Sequence, residues 1–207
     1  MTLQALDIEP FAGPLPDRVV DFIAAANRGV EDFVEGHLDE PITSFVPSNY
    51  EEVYRVLAAL KERSVLSGRY FCEWGSGIGV VCGMASLLGF EACGIESRRE
   101  LVEAGERFLS SFDIDIPLAQ GTFIPPGADA VADDLDGPAW LDLGCVSGYD
   151  ELESEIEDFD VIFAYPWPGE EHVVERLFSH FADIGAVLVT FRGLEGVIVQ
   201  RKVARKN

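Results

Sequence analysis

The sequence predicts an α/β protein: a doubly wound, mostly parallel sheet with an N-terminal helical extension. Three observations carry that expectation. From residue 69 onward, short apolar runs alternate with amphipathic segments of helix length, the pattern of a parallel sheet covered on both faces. The last two runs, "AVLVTF" and "GVIVQRKV", are joined by "RGLEG", too short for a crossover helix, so the final strand is expected antiparallel to its predecessor. Ahead of the alternation, residues 14–36 carry apolar side chains at helical spacing.

Each element has its own justification. "PLPDRVVDFIAAANRGVEDFVEG" places Val19, Phe22, Ile23, Ala26, Val30 and Phe33 on one helical face. A loop containing Pro41 and Pro47 follows, and "SNYEEVYRVLAALKERS" opens with Ser48 and Glu51, the spacing of a capping box. "RYFCEW" reads as a strand and "IGVVCGMASLLG" as a helix closed by Gly89. "EACGIE", "SRRELVEAGERFLSSF" and "IPLAQG" continue as strand, helix and strand. The acidic, Pro- and Gly-containing stretch 125–158 breaks the rhythm and reads as a surface insertion, with one short helix near Tyr149–Ile156. "DFDVIFAYPWP" is a strand entering a turn, "GEEHVVERLFSHFADIG" a helix, and the two final strands follow. Residues 1–66 are thus expected as the helical extension and 67–207 as the sheet domain.

Composition narrows the class. At 207 residues, 48% hydrophobic and with 14 Phe, the chain has material for one sizeable core. No apolar stretch approaches the roughly 20 residues that span a bilayer, and the N-terminus lacks the pattern of a secretory signal. A cytoplasmic protein without a membrane partner is the expectation. Cys72, Cys82, Cys93 and Cys145 include no CxxC pair, and three of them sit in apolar segments, which favours buried free thiols in a reducing compartment. The 37 acidic residues outnumber the 15 basic ones, a formal net charge of −22, and only Lys61, Lys202 and Lys206 among the 15 are lysines. Such a surface repels phosphate backbones and disfavours nucleic acid as a partner. It would attract a basic protein or a cationic small molecule; adaptation to salt, or plain solubility, explains the same charge.

"EWGSGIG", residues 73–79, is the segment that carries chemistry. Gly75, Gly77 and Gly79 follow the first strand of the alternation, at the turn where a ligand approaches a helix N-terminus. A phosphate-cradling loop would require a Lys, and the segment has none. A dinucleotide fingerprint starting at Gly75 meets the bulky Val80 at its third position. Glu73 would repel a pyrophosphate and welcome a cationic amino group, while Glu96 closes the next strand, where a carboxylate bonds both hydroxyls of a ribose. S-adenosylmethionine combines a ribose, an ammonium and a sulfonium, and so matches that set.

"FCEWGSGIGVVCGMASLLG" followed by "CGIESRRELVEAGERF" resembles the first two motifs of class I S-adenosylmethionine-dependent methyltransferases, over roughly residues 45–191. The resemblance implies a Rossmann-like seven-stranded fold, although "FRGLEGVIVQRKV" leaves no room for the helix that usually precedes the last hairpin; six or seven strands are expected. It implies that Glu73, Gly75, Ser76, Gly77 and Gly79 line the methionine and sugar, that Glu96 holds the ribose, and that Gln120 and Gly121 lie near the adenine. "FVPSNYEEVYRVL" is similar to the Pro-Ser/Thr loop and helix that lead into the first motif of protein lysine methyltransferases of the disruptor-of-telomeric-silencing type.

Tyr165-Pro166-Trp167-Pro168 resembles the Asn/Asp-Pro-Pro-aromatic motif of amino-methylating enzymes but lacks the first Asn or Asp, which argues against a nucleobase amino group. Tyr165 and Trp167 are the catalytic candidates: a tyrosine hydroxyl to accept from the target nitrogen, and aromatic faces to hold a cationic amine. A rigid turn with a packed Trp is the alternative. His37, His172 and His180 read as surface groups, and no metal-ligand spacing appears. The expected activity is methyl transfer to an amine, a protein lysine or a small amine. Methylation of a small-molecule oxygen or carbon, or a non-catalytic binding module, stands as the alternative.

Overall fold

The structure, a computed structural model, describes residues 1–36, 46–63, 65–128 and 146–205. In chain order its elements are β1 (Thr2–Ala5), α1 (Asp17–Gly36), α2 (Tyr50–Glu62), β2 (Tyr70–Trp74), α3 (Val80–Leu87), β3 (Glu91–Glu96), α4 (Arg99–Ser110) and β4 (Leu118–Gln120). There follow α5 (Gly148–Leu152), β5 (Val161–Ala164), α6 (Glu171–Phe181), β6 (Val187–Phe191) and β7 (Val197–Val203). Strands β2 to β6 are mutually parallel, β7 runs antiparallel to β6, and the sheet order is β1-β7-β6-β5-β2-β3-β4. The antiparallel last strand is as expected, with a single 3-10 turn, Gly193–Glu195, in place of a crossover helix.

The seventh strand comes from the opposite end of the chain. Residues 2–5 pair antiparallel with β7, Thr2 opposite Val203, so the segment expected as a helical extension begins with a strand. Four residues with three exposed side chains carry little alternation of their own. Their stabilisation is the backbone ladder, which also covers what would be an open edge of β7. A second shift is smaller: the cap of α2 is Asn49, whose side chain accepts from Glu52 N at 3.2 Å, one residue beyond the expected Ser48. Within the acidic stretch, α5 stops at Glu153, which takes a left-handed conformation (φ 50°), and a 3-10 turn at Ile156–Asp158 follows. Residues 129–145 of that stretch, including Cys145, and also His37 and Pro41, lie outside the described residues.

Each central strand is buried along nearly its whole length, because helices cover both sheet faces. On one face α1 to α4 pack around Phe71, Val161, Phe163, Val187 and Val189; on the other, α6 and Tyr149 pack on Cys72, Trp74, Ile95, Ile162 and Leu188. Helix α1 is part of that first layer. Phe22 is fully buried, with its ring 4.9 Å from Phe108 and 5.0 Å from Phe112, and Arg18 Nη2 donates to Phe112 O at 2.8 Å. The reach between α1 and α3 is short enough that a Cβ at Gly83 would lie 2.7 Å from the Phe22 ring. Cys72, Cys82 and Cys93 are buried free thiols. Among the described residues no helix is long and apolar enough to cross a membrane.

Phe22→Ala would leave a cavity between α1, α3 and α4. A loss of about 3–5 kcal/mol in unfolding free energy is expected from urea denaturation. A change below about 1 kcal/mol would show that α1 is an appendage and not part of the core.

Candidate active site

Chain order reverses direction across the sheet at β2. From there the chain goes to β3 and β4 on one side, then returns to β5 and β6 on the other. At such a reversal the loops leaving neighbouring strands diverge and open a crevice at the carboxyl ends. A cleft of about 330 Å³ lies there, within the roughly 300–1,000 Å³ of small-molecule sites. Its walls are the β2–α3 turn, the end of β3, the β5–α6 loop, and the segment Val46–Tyr50 that leads into α2.

The β2–α3 turn is held by backbone and carboxylate together. Gly75, Gly77 and Gly79 all have positive φ (67°, 56° and 74°), a path that a side chain would strain. Gly75 N and Ser76 N both donate to Ile95 O, at 2.9 and 3.0 Å, tying the turn to β3. Glu96 Oε2 accepts from Gly77 N at 2.9 Å, and its Oε1 accepts from Arg98 N at 3.0 Å. Glu73 Oε2 accepts from Cys82 N at 2.7 Å, one of the free donors in the first turn of α3. Glu73 and Glu96 are 5% and 8% exposed, so both carboxylates are nearly out of water. Burial pushes the Glu73 carboxyl up to about 8, and the charge of Glu96 adds to the rise; the Cys82 hydrogen bond opposes both. The Tyr50 hydroxyl is pushed up in turn, by burial first and then by the charge of Glu73.

Most of the expected residues meet in this cleft. Glu73, Gly75, Ser76, Gly77, Glu96, Tyr165 and Trp167 all line it. Tyr165 is half-buried and stands edge-on to Phe191 with ring centroids 5.0 Å apart, while Trp167 is 38% exposed at the rim. Three expected residues are elsewhere. Gly79 faces the core, where a Cβ would come 3.1 Å from Leu109, and it serves to start α3. Gln120 and Gly121, at the carboxyl end of β4, do not line the cleft. Gly121 makes room for the chain entering α5, since a Cβ there would sit 2.5 Å from Val146 O.

Sequence reasoning missed Tyr50, Phe123, Arg98 and Glu170, which complete the lining. Glu170 follows the Tyr-Pro-Trp-Pro turn after one glycine, and "PGEE" is its only local signal. With Glu73, Glu96 and Glu170 against Arg98, the lining has three acidic groups to one basic. Two buried oxygens there, Ser76 Oγ and Glu170 Oε1, have no hydrogen-bond partner among the described residues. A polar ligand with cationic groups would satisfy such a set, since buried polar atoms rarely stay unpaired. Also among the described residues, no group of three or more His, Cys, Asp or Glu is placed to hold a metal. His172 and His180 are exposed.

No protein-family model matches the sequence, and no curated protein matches it. Solved structures do. An RNA methyltransferase from Salinibacter ruber in complex with S-adenosyl-L-homocysteine superposes with a TM-score of 0.50 at 18% identity, covering 78% of this chain and 95% of that one. An O-methyltransferase from Bacillus cereus, also with S-adenosylhomocysteine, gives 0.50 at 12% identity, over 86% and 67% of the two chains. The chain has the Rossmann-like fold of these S-adenosylmethionine-dependent methyltransferases. Neither is described as a protein lysine methyltransferase, so the narrower resemblance at residues 45–57 draws no support from them.

The raised pKa of Glu73 has a measurable sign. Between its ordinary value of 4.5 and about 8, the folded chain holds a proton that the unfolded chain has released. Stability attributable to this group is therefore greatest below pH 4.5 and falls as pH rises through that window, by at most about 1.4 kcal/mol per pH unit. Glu73→Gln keeps an acceptor for Cys82 N and cannot ionise. Calorimetric melting from pH 5 to 8.5 should show the variant gaining on the parent as pH rises. Parallel profiles would mean that Glu73 is ionised throughout.

Proposed function

We propose that the protein is an S-adenosylmethionine-dependent methyltransferase that acts on an amine. One observation supports the cofactor above the rest: two buried carboxylates, Glu73 and Glu96, flank a glycine turn at the sheet's reversal point, with no Lys or Arg directed at a phosphate within the turn itself. That donor and acceptor set suits a ribose and an ammonium and repels a pyrophosphate. The unpartnered Ser76 Oγ adds a hydroxyl on the same wall. In this reading Glu96 holds the ribose hydroxyls, and Gly75 to Gly77 pass along the methionine portion without side chains. Glu73 lies beneath it as a buried carboxyl that can give up its proton to an arriving positive charge, and Gly79 is proposed to border the same turn where it starts α3. Gln120 and Gly121, on the neighbouring strand, are proposed for the adenine side.

Bound there, S-adenosylmethionine would supply a methyl group already activated by its positive sulfur. The chain's own part is placement: holding a nucleophile in line and keeping water out. Tyr165 and Trp167 line the cleft from the β5–α6 loop. Aromatic faces there attract a cationic amine, and a half-dry site lowers the pKa of that amine toward its reactive neutral form. The acidic surface would steer a basic protein's lysine, or a small polyamine, toward the cleft at a rate that falls with salt.

The first test is calorimetric: heat of binding is expected with S-adenosylmethionine and none with NAD. Gly77→Val should abolish binding, because its branched side chain would enter the ligand's volume at a positive-φ position. Glu96→Ala should weaken it by roughly 1.5–3 kcal/mol, the range for a hydrogen bond to a charged group. Binding of NAD alone, or folded variants that bind as well as the parent, would overturn the cofactor. Radiolabelled methyl transfer to basic proteins, small amines, tRNA and DNA tests the acceptor, and label in nucleic acid alone would overturn the amine.

A further inference from the structure

The β5–α6 loop carries a carboxylate whose role the cofactor does not account for. Glu170 lies two residues beyond Pro168 and lines the cleft together with Tyr165 and Trp167. Its Oε1 is sealed from solvent and has no hydrogen-bond partner among the described residues. A carboxylate oxygen left in that state costs free energy, and on a mobile surface side chain it would simply rotate out into water. The backbone explains why it stays: Glu170 N donates to Trp167 O at 2.8 Å, closing the turn, and Val173 N and Val174 N donate back to Glu170 O. The neighbouring Glu171 is occupied otherwise, accepting from Gly169 N at 2.8 Å. Glu170 Oε1 is thus the buried carboxylate oxygen of this loop that lacks a partner among the described residues.

Resting on the methyltransferase reading above, we infer that Glu170 is a catalytic residue on the acceptor side, binding the incoming ammonium and taking one of its protons. The step balances simply. One N–H bond of R–NH3+ breaks, the proton bonds to Glu170 Oε1, and the nitrogen keeps the electron pair with which it attacks. The carboxyl becomes neutral and, once the methylated product has left, gives its proton to water that enters the emptied cleft. This places on the loop, by a different residue, the acceptor that the missing Asn or Asp ahead of Pro166 would have provided. Burial raises the Glu170 pKa, partly offset by the Trp167 backbone N–H, with Glu171 raising it and His172 lowering it. A carboxylate so placed is a stronger base than one at the surface. The other charged or titratable groups facing the same cleft are Glu73, Glu96, Arg98, Tyr50 and Tyr165.

Two probes separate this role from cofactor binding. S-adenosylhomocysteine lacks the methyl group, whereas in sinefungin a carbon bearing a cationic amine replaces the methylsulfonium, so the charge projects toward the acceptor wall. The intact protein is expected to bind sinefungin at least tenfold more tightly than S-adenosylhomocysteine in calorimetry. Glu170→Gln should bind S-adenosylhomocysteine as the parent does and lose at least fivefold of the sinefungin preference, while Glu170→Asp retains part of it. Glu170→Ala, read in the same way, decides the matter if the amide variant does not fold. A preference unchanged in these variants, or an equal loss of both ligands, would overturn the inference and leave Glu170 a structural residue of the turn. Failure of the parent to bind either probe would instead overturn the cofactor reading, and this inference with it.

Discussion

The carboxyl edge of the sheet depends on one contact, the hydrogen bond from Cys82 N to Glu73 Oε2. Glu73 is the fourth of the five residues of β2, so its backbone is fixed by ladders to β3 and β5 on either side. Its side chain then reaches the first turn of α3. The strand, the glycine turn and the helix are thereby closed into one loop. Without that bond, a helix N–H would be left without a partner and the buried carboxyl would lose one of its donors. The turn needs positive φ at three alternate residues to cover so short a span, which is why glycines occupy Gly75, Gly77 and Gly79 whatever the ligand.

Glu96 repeats the device one strand over. Its two oxygens hold Gly77 N and Arg98 N, so the same carboxylate pins the turn and begins α4. Neither carboxylate has an Arg or Lys as hydrogen-bond partner among those described, and each is held by backbone N–H groups. Backbone donors hold a carboxylate in place while leaving its charge uncancelled at longer range. Pairing with an Arg would have neutralised the field in the cleft. The pocket is consequently rigid, and its two carboxyl groups have no basic side chain as a hydrogen-bond partner among the described residues.

How much of this was legible follows from where each feature gets its stability. Strands β2, β3, β5 and β6 and the helices between them are written in local apolar pattern, and the reading of them held to within a few residues. Glu73 and Glu96 were legible because each lies at or one residue before the end of its strand, and parallel neighbouring strands bring their carboxyl ends together. Strand β1 was not, because its partner β7 lies at the far end of the chain and its own four residues show no alternation. Tyr50 and Glu170 reach the cleft only through the packing of α2 and the folding of the β5–α6 loop, neither of which leaves a mark in local sequence. Gly79 belongs to the glycine series by sequence, while the space that a side chain there would take is filled by Leu109 and Leu118.

The charge of the chain divides into two parts with different physical meaning. Exposed Asp and Glu cost little, are screened over about 8 Å at physiological salt, and fit solubility or salt adaptation as well as any partner. Glu73 and Glu96 belong to the other part, since at 5% and 8% exposure they gain nothing from counterions in solution. Solubility cannot account for carboxylates that the solvent barely touches. Nor can packing, because an amide such as Gln would accept from Cys82 N or Gly77 N without the desolvation penalty of a charge. What distinguishes Glu from Gln at position 73 is the ability to become negative when a positive group arrives; at position 96 it is a second acceptor oxygen, which holds Arg98 N while the first holds Gly77 N. The buried acidity of the cleft therefore points to a cationic ligand independently of the −22 carried by the chain as a whole.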